Sequence, residues 1–252
     1  MQPVYTKGEV LKNIKVSKGI YKLSIKGDYN ANMGQFYMIK AWDEEPILPR
    51  PLSVHDVDKD SIHFLYEVKG KGTERLRDLN KGDIIELTGP LGNGFDRLKI
   101  KGRVAVVSGG IGIAPMLYAA KTLKDLEVDF YAGFRDEIYV TCDIKQYVKN
   151  VYISTDSGTY GHKGYVTDCL SESLRVGGKK YDTVLCCGPE IMMKKVVDIC
   201  ETNEIPVYVS LESSMACGLG ACLVCTCTTN KGKKRVCKDG PVFLGEDVVF
   251  NA

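Results

Sequence analysis

Four cysteines near the carboxyl end restrict this chain more than any other feature. Cys217, Cys222 and Cys225 form a C-x-x-x-x-C-x-x-C array, and Cys237 follows after a short basic segment. That is the ligand spacing of a plant-type [2Fe–2S] cluster, in which four thiolates converge on two irons. The backbone between the first two ligands must then wrap tightly around the inorganic core. Gly218 and Gly220 suit the wrap, because glycine accepts positive φ and lets N–H groups approach the sulfurs. Structural zinc and disulfides are the competing readings. Zinc sites usually set a C-x-x-C pair against a second such pair or against histidines, and that second pair is missing here. Cys227 is a spare thiol outside the expected ligand set.

The chain has 252 residues, long enough for one large domain or two to three small ones. A net charge of +2 gives no electrostatic case for nucleic acid or an anionic membrane surface. No apolar run reaches the length of a membrane span, and the first residues lack a signal-peptide core. The expectation is a cytoplasmic protein whose thiols stay reduced. Cys142, Cys169, Cys186 and Cys200 are expected to pack as small hydrophobes.

Upstream of the array the pattern changes twice. Over residues 1–99, short alternating runs at 9–16, 20–25, 35–41, 52–57, 61–68 and 83–88 predict a six-stranded antiparallel barrel. A helical run at 73–79 interrupts them, with Thr73 as its expected N-cap. Arg50-Pro51-Leu52-Ser53 puts a fixed cation, a φ-locked proline and a hydroxyl on one short strand, suited to a phosphate and a ring nitrogen. Gly70-Lys71-Gly72-Thr73 offers flexible backbone donors to a phosphate. Each is weak alone; together with the next segment they read as a flavin dinucleotide site.

Over residues 100–210, buried-type runs at 103–108, 128–132, 151–154, 182–187 and 207–211 alternate with helical stretches, predicting a doubly wound parallel sheet. Gly109-Gly110-Ile111-Gly112-Ile113-Ala114-Pro115 joins the first strand to a helix, the setting of a pyrophosphate loop, although Ala114-Pro115 replaces the last glycine of G-x-G-x-x-G. Ligands bind at the carboxyl edge of such sheets. That directs attention to Gly133-Phe134-Arg135-Asp136-Glu137 and to Cys187-Gly188-Pro189. Arg135 would favour NADP, but Asp136, Glu137 and Asp156 oppose a 2′-phosphate, so NAD is expected. Residues 211–252 form a third, cluster-binding unit.

Together these blocks resemble the ferredoxin reductase-like flavoproteins. More narrowly, they resemble the electron transfer subunit family of bacterial NAD-dependent dihydroorotate dehydrogenase. The order Arg-Pro-Leu-Ser, Gly-x-Gly-Thr, Gly-Gly-Ile-Gly-Ile-Ala-Pro, Cys-Gly-Pro and the cysteine array carries the likeness, as do residues 158–168 and the tail 236–243. The resemblance implies FAD at Arg50, Pro51, Leu52, Ser53, Leu65, Tyr66, Glu67, Gly72 and Thr73. It implies NAD at Gly109, Gly110, Gly112, Cys187, Gly188 and Pro189, and the cluster on Cys217, Cys222, Cys225 and Cys237. Ser53 and Cys187 are expected near the nicotinamide–flavin contact. A related transhydrogenase small subunit tends to carry aspartate at the first ligand, where this chain has Cys217.

The chain as read holds a hydride acceptor, a flavin and a one-electron centre, but no catalytic base set for an organic substrate. The resemblance therefore implies a partner: an FMN-containing catalytic subunit that oxidises dihydroorotate in pyrimidine biosynthesis, assembled as a heterotetramer of two of each. A stand-alone diaphorase or ferredoxin reductase is the alternative. A pure redox sensor would need no dinucleotide sites. His55, His63 and His162 read as structural hydrogen-bonders rather than ligands.

Overall fold

A computed structural model describes residues 2–176, 178 and 180–250. The first third closes into a barrel because its strands alternate inward apolar and outward polar positions. Strands β1 (Val4–Ser17), β2 (Ile20–Lys26), β3 (Phe36–Lys40), β4 (Arg50–Asp58), β5 (Ser61–Glu67) and β6 (Ile84–Leu91) pair antiparallel in the order β1-β2-β5-β4-β3-β6. Val10, Leu23, Ile25, Ile39, Val54, Ile62, Phe64, Ile85 and Leu87 are fully buried inside it. Helix α1 (Lys71–Arg77) sits between β5 and β6. Gly70 is its N-cap, not Thr73, which lies at the third helical position. The Thr73 hydroxyl accepts from the Lys69 and Gly70 N–H groups and donates to the Gly70 carbonyl. This closes a turn that a side chain one position outside the helix could not close.

The second unit is built on β7 (Arg103–Gly109), β8 (Glu127–Phe134), β9 (Asn150–Thr155), β10 (His162–Lys163), β11 (Thr183–Cys187) and β12 (Val207–Ser210). All are parallel, in the order β10-β9-β8-β7-β11-β12. Helices α2 (Ala114–Thr122), α3 (Thr141–Lys145), α4 (Val166–Arg175) and α5 (Glu190–Thr202) cover the two faces. The near-continuous apolar run of β7 follows from this: Val104 and Val106 pack under α2, while Ala105 and Val107 pack on the α4–α5 side. The strand order reverses between β7 and β11, which opens the crevice where such sheets bind ligands.

The tail forms a two-stranded ribbon, β13 (Thr226–Thr229) with β14 (Gly232–Arg235). It then returns as β15 (Val242–Leu244), which adds antiparallel to β12 at the sheet edge. Cys186 and Cys200 are fully buried and Cys169 nearly so, but Cys142 is exposed. The expectation that Cys142 packs inward is thereby corrected: α3 is a short surface helix that buries Thr141 and Ile144 instead. No helix among the described residues is long and apolar enough to cross a membrane.

Barrel and sheet are joined through β4 and α2. Lys121 reaches Asp56 (2.8 Å) and Asp58 (3.0 Å). His55, wholly buried, stands 2.7 Å from the Ala114 carbonyl. A carbonyl only accepts, so Nδ1 carries a proton. Burial pushes its pKa down to about 3, against a smaller upward pull from that hydrogen bond. His63 is also lowered, mainly by burial, with Asp58 opposing. The unfolded chain therefore binds more protons below pH 6.5, and stability falls with acidification by up to about 1.4 kcal/mol per pH unit per histidine. Melting of the apo-protein should drop steadily between pH 6.5 and pH 4, and His55→Gln should flatten that slope.

Candidate active-site cleft and cluster loop

One cleft gathers most of the residues assigned to the flavin. Arg50, Pro51, Leu52 and Ser53 from β4, Leu65, Tyr66 and Glu67 from β5, and Thr73 from α1 line it. Strands β4 and β5 are adjacent in the barrel, which is why residues some 15 positions apart share one wall. Gly72 lies beneath the Arg50 guanidinium, and a Cβ there would stand 2.3 Å from Arg50 Nε. Sequence reasoning did not assign the rest of the lining to this cleft: Ile111 from the loop after β7, Ala114 at the start of α2, Glu212, Ser213 and Met215 before the cysteines, and Pro241. These lie up to 191 positions from Arg50, and although Ile111 and Ala114 fall within the glycine loop, no local pattern says that these segments meet at one cleft.

Glu212 is solvent-accessible at the cleft mouth, yet protein surrounds its carboxyl. That desolvation raises its pKa, Lys69 lowers it and Glu67 raises it further.

The dinucleotide loops meet at the switch point. Gly112 has no room for a side chain: a Cβ would sit 2.5 Å from the Cys187 carbonyl oxygen and 2.7 Å from Gly188 Cα. Gly109 abuts Pro189 and Met192 in the same way. Gly110 takes φ 54°, which turns the chain from strand to helix. The structure thus brings Gly109, Gly110, Gly112, Cys187, Gly188 and Pro189 together at the carboxyl ends of β7 and β11. It does not bring the Cys187 thiol to the cleft surface beside Ser53. Cys187 is 1% exposed, and burial raises its pKa well above normal, with Glu212 and Cys186 adding to this and a hydrogen bond to Ser210 opposing.

The charge argument for NAD also changes in one part. Glu137 points away from the strand end: it accepts 2.6 Å from Ser17 Oγ and 3.2 Å from the Lys18 N–H on the barrel hairpin. It fastens the two units and leaves Asp136 and Asp156 as the acidic groups of that edge.

The cysteine loop presses against the barrel wall. Cys225 and Cys237 are 1% and 2% exposed and pack with Phe36, Met38, Leu91 and Val236. Cys217 is half-buried and Cys222 exposed. Gly218, Gly220 and Leu223 all take positive φ, at 69°, 80° and 62°. For a leucine that conformation costs about 1–3 kcal/mol, so the rest of the loop must enforce it. The Leu219 N–H donates to Cys217 Sγ and the Cys237 N–H to Cys225 Sγ, each at 3.4 Å. Burial raises the Cys217 pKa, but the N–H groups of Cys222, Leu219 and Ala221 outweigh it and bring the thiol down to about 6. Arg235 binds Asp239 and reaches the Gly220 carbonyl (3.2 Å), holding the turn that carries Cys237 against the loop. Among the described residues no three ligand-type side chains close around a single-ion position. A loop that aims N–H groups at sulfur fits a sulfide-bridged two-iron core with its larger span.

Residues 212–249 match the family described as "Iron-sulfur cluster binding domain of dihydroorotate dehydrogenase B". Over its whole length the chain is 55% identical to the "Dihydroorotate dehydrogenase B (NAD(+)), electron transfer subunit" of Clostridium acetobutylicum, covering 100% of both chains. The chain belongs to that electron transfer subunit family. The subunit of the same name from Clostridium perfringens is 53% identical, covering 98% of both. Among solved structures, an NADH-dependent reduced ferredoxin-NADP oxidoreductase superposes with a TM-score of 0.88 at 31% identity, covering 97% of this chain and 90% of that one. With this family established, residues 212–249 are an iron–sulfur cluster binding domain rather than a zinc or disulfide unit.

Overpacking at the switch point is directly testable. Gly112→Ala should cost about 1–3 kcal/mol of stability and weaken NADH binding by tenfold or more, both measured on purified protein by thermal melting and by titration.

Proposed function

We propose that this chain is the electron transfer subunit of an NAD-dependent dihydroorotate dehydrogenase. It would carry FAD and a [2Fe–2S] cluster and link the FMN of a separate dihydroorotate-oxidising subunit to NAD⁺. The flavin supplies the exchange between hydride and single electrons that neither nicotinamide nor cluster can make alone. One observation carries this reading: the flavin cleft and the cysteine loop share a wall. Ser213 and Met215 line the cleft two to four residues before Cys217, and Phe36 borders the cleft while packing against Cys225 and Cys237.

The residues divide the work. Arg50 supplies a guanidinium for the FAD phosphates, and the Ser53 hydroxyl lies on the same strand to orient the ring. Leu65, Tyr66, Glu67, Gly72 and Thr73 complete that cradle. Gly109, Gly110 and Gly112, with Cys187, Gly188 and Pro189, leave backbone close enough to seat the nicotinamide nucleotide. Cys217, Cys222, Cys225 and Cys237 hold the cluster. Cys187 acts through position, since a buried thiol with a raised pKa is not a nucleophile.

The loop tip is the surface for the partner. Leu219, Leu223 and Val224 are 52%, 60% and 54% exposed beside the exposed Cys222. An apolar cluster around a redox centre suits a stable, water-excluding interface. A cytoplasmic heterotetramer of two of each subunit is the assembly we infer. Tagged protein should retain an FMN-containing chain and, with it, form NADH from dihydroorotate; retention of no such chain would leave the stand-alone diaphorase. Leu223→Asp with Val224→Asp should cut dihydroorotate-dependent NADH formation at least tenfold while leaving NADH oxidation by an artificial dye unchanged.

The acidic strand edge at Asp136 and Asp156 sets the nucleotide preference. Dye reduction should be faster with NADH than with NADPH, and the reverse order would mean that Arg135 governs the edge instead.

A further inference from the structure

We propose that Trp42 is a positioning residue for Arg50: its ring holds the guanidinium in the attitude that grips the dinucleotide phosphates. The proposal rests on FAD occupying the cleft.

Arg50 opens β4 at the cleft, and its guanidinium is held from three directions. Its Cζ lies 5.7 Å from the centroid of the Trp42 ring, within range of a cation–π contact. Its Nη1 donates to the Leu48 carbonyl at 2.6 Å and lies at the limit of a bond to Pro49, at 3.5 Å. One face of the guanidinium lies against Gly72, where a Cβ would approach Nε, Cζ and Nη2 to 2.3, 2.6 and 2.8 Å, which leaves the Nε–Nη2 edge open. That edge makes no hydrogen bond to protein among the described residues, and it is the fork that binds an anion with two parallel bonds. A long side chain would otherwise lose rotamer freedom on binding. Here the loop has already fixed it.

Trp42 is itself anchored. It is half-buried against the barrel core, and its indole N–H donates to the Pro46 carbonyl. The loop 42–49 therefore closes on itself and presents the ring face to Arg50. A lone tryptophan in a surface loop reads as an ordinary hydrophobic anchor; the guanidinium on its face gives it a second task. It is also the chain's single tryptophan, so its emission reports on this spot alone.

The test is FAD affinity of the apo-protein, with riboflavin as a probe that lacks the phosphates. Arg50→Ala should weaken FAD about 10- to 100-fold, as expected for a lost charge-assisted pair. Trp42→Leu should weaken it about 3- to 30-fold, and Trp42→Phe should restore most of the loss. Riboflavin affinity should not change in any of them. The Trp42→Leu, Arg50→Ala double variant should bind FAD no more weakly than Arg50→Ala alone, because both act through one group. Gly72→Ala provides a variant that keeps the fold: alanine favours α1, so melting should hold or rise while FAD affinity drops as the new methyl displaces the guanidinium. Full FAD affinity in Trp42→Leu alongside a weakened Arg50→Ala would overturn the role of Trp42 and leave the flavin site intact. Additive losses in the double variant would also overturn it. An Arg50→Ala variant with unchanged FAD affinity would instead remove the flavin assignment on which the proposal rests.

Discussion

The return of the tail to the sheet edge is the interaction on which the rest depends. β15 pairs with β12 through Val242–Ser210, Phe243–Val209 and Leu244–Tyr208. Just before it, Asn93 donates its N–H to the Gly240 carbonyl and accepts from the Val242 N–H. A single segment is thus hydrogen-bonded to the nucleotide sheet on one side and to a barrel loop on the other. Gly92 makes this possible: at φ 72° a side chain there would strike Pro241 and the Gly240 carbonyl. Without that clamp, nothing in the short ribbon β13–β14 could fix the cysteine loop, because two strands alone have too little apolar surface to hold a structure in water.

The clamp places two sites on one wall. Phe36, Met38 and Leu91 give the cysteine loop an apolar bed, and two of the four thiols disappear into it. The other two stay toward solvent with Leu219, Leu223 and Val224. The loop therefore has a buried side against the barrel wall it shares with the cleft and an apolar exposed side. A buried side shields a redox centre from water, and an exposed side lets a second protein approach it. The strained φ of Leu223 belongs to this arrangement, since the turn carries that residue outward between Cys222 and Cys225.

Polar contacts handle the joint between barrel and sheet differently. His55, Lys121 with Asp56 and Asp58, and Glu137 with Ser17 and Lys18 each cross between the two units. Single hydrogen bonds and ion pairs of this kind contribute only modest stability one by one. Their value is directional: His55 and Lys121 set β4 against α2, and Glu137 sets the β1–β2 hairpin against the segment after β8. The Glu137 contact shows how a local argument can fail: a carboxylate at a strand end was assigned to the nucleotide edge, while a barrel hairpin 119 and 120 positions away claimed it.

What the chain declares by itself is periodic or strictly spaced. Alternation at period two marks the barrel strands, unbroken apolar runs mark the parallel strands, and the cysteine array names its cluster because ligand spacing is a property of the chain alone. Local chemistry also places Arg50–Ser53 on a strand and Gly109–Gly112 in a turn. Only the folded molecule decides which segments meet: Gly72 and Trp42 at the Arg50 guanidinium, Glu212 and Met215 in one cleft with β4, and Cys187 buried below the surface. Those pairings depend on barrel closure and on the strand that the tail lends to the sheet. Both are long-range hydrogen-bonding events, and periodicity can mark a strand without saying which strand it pairs with.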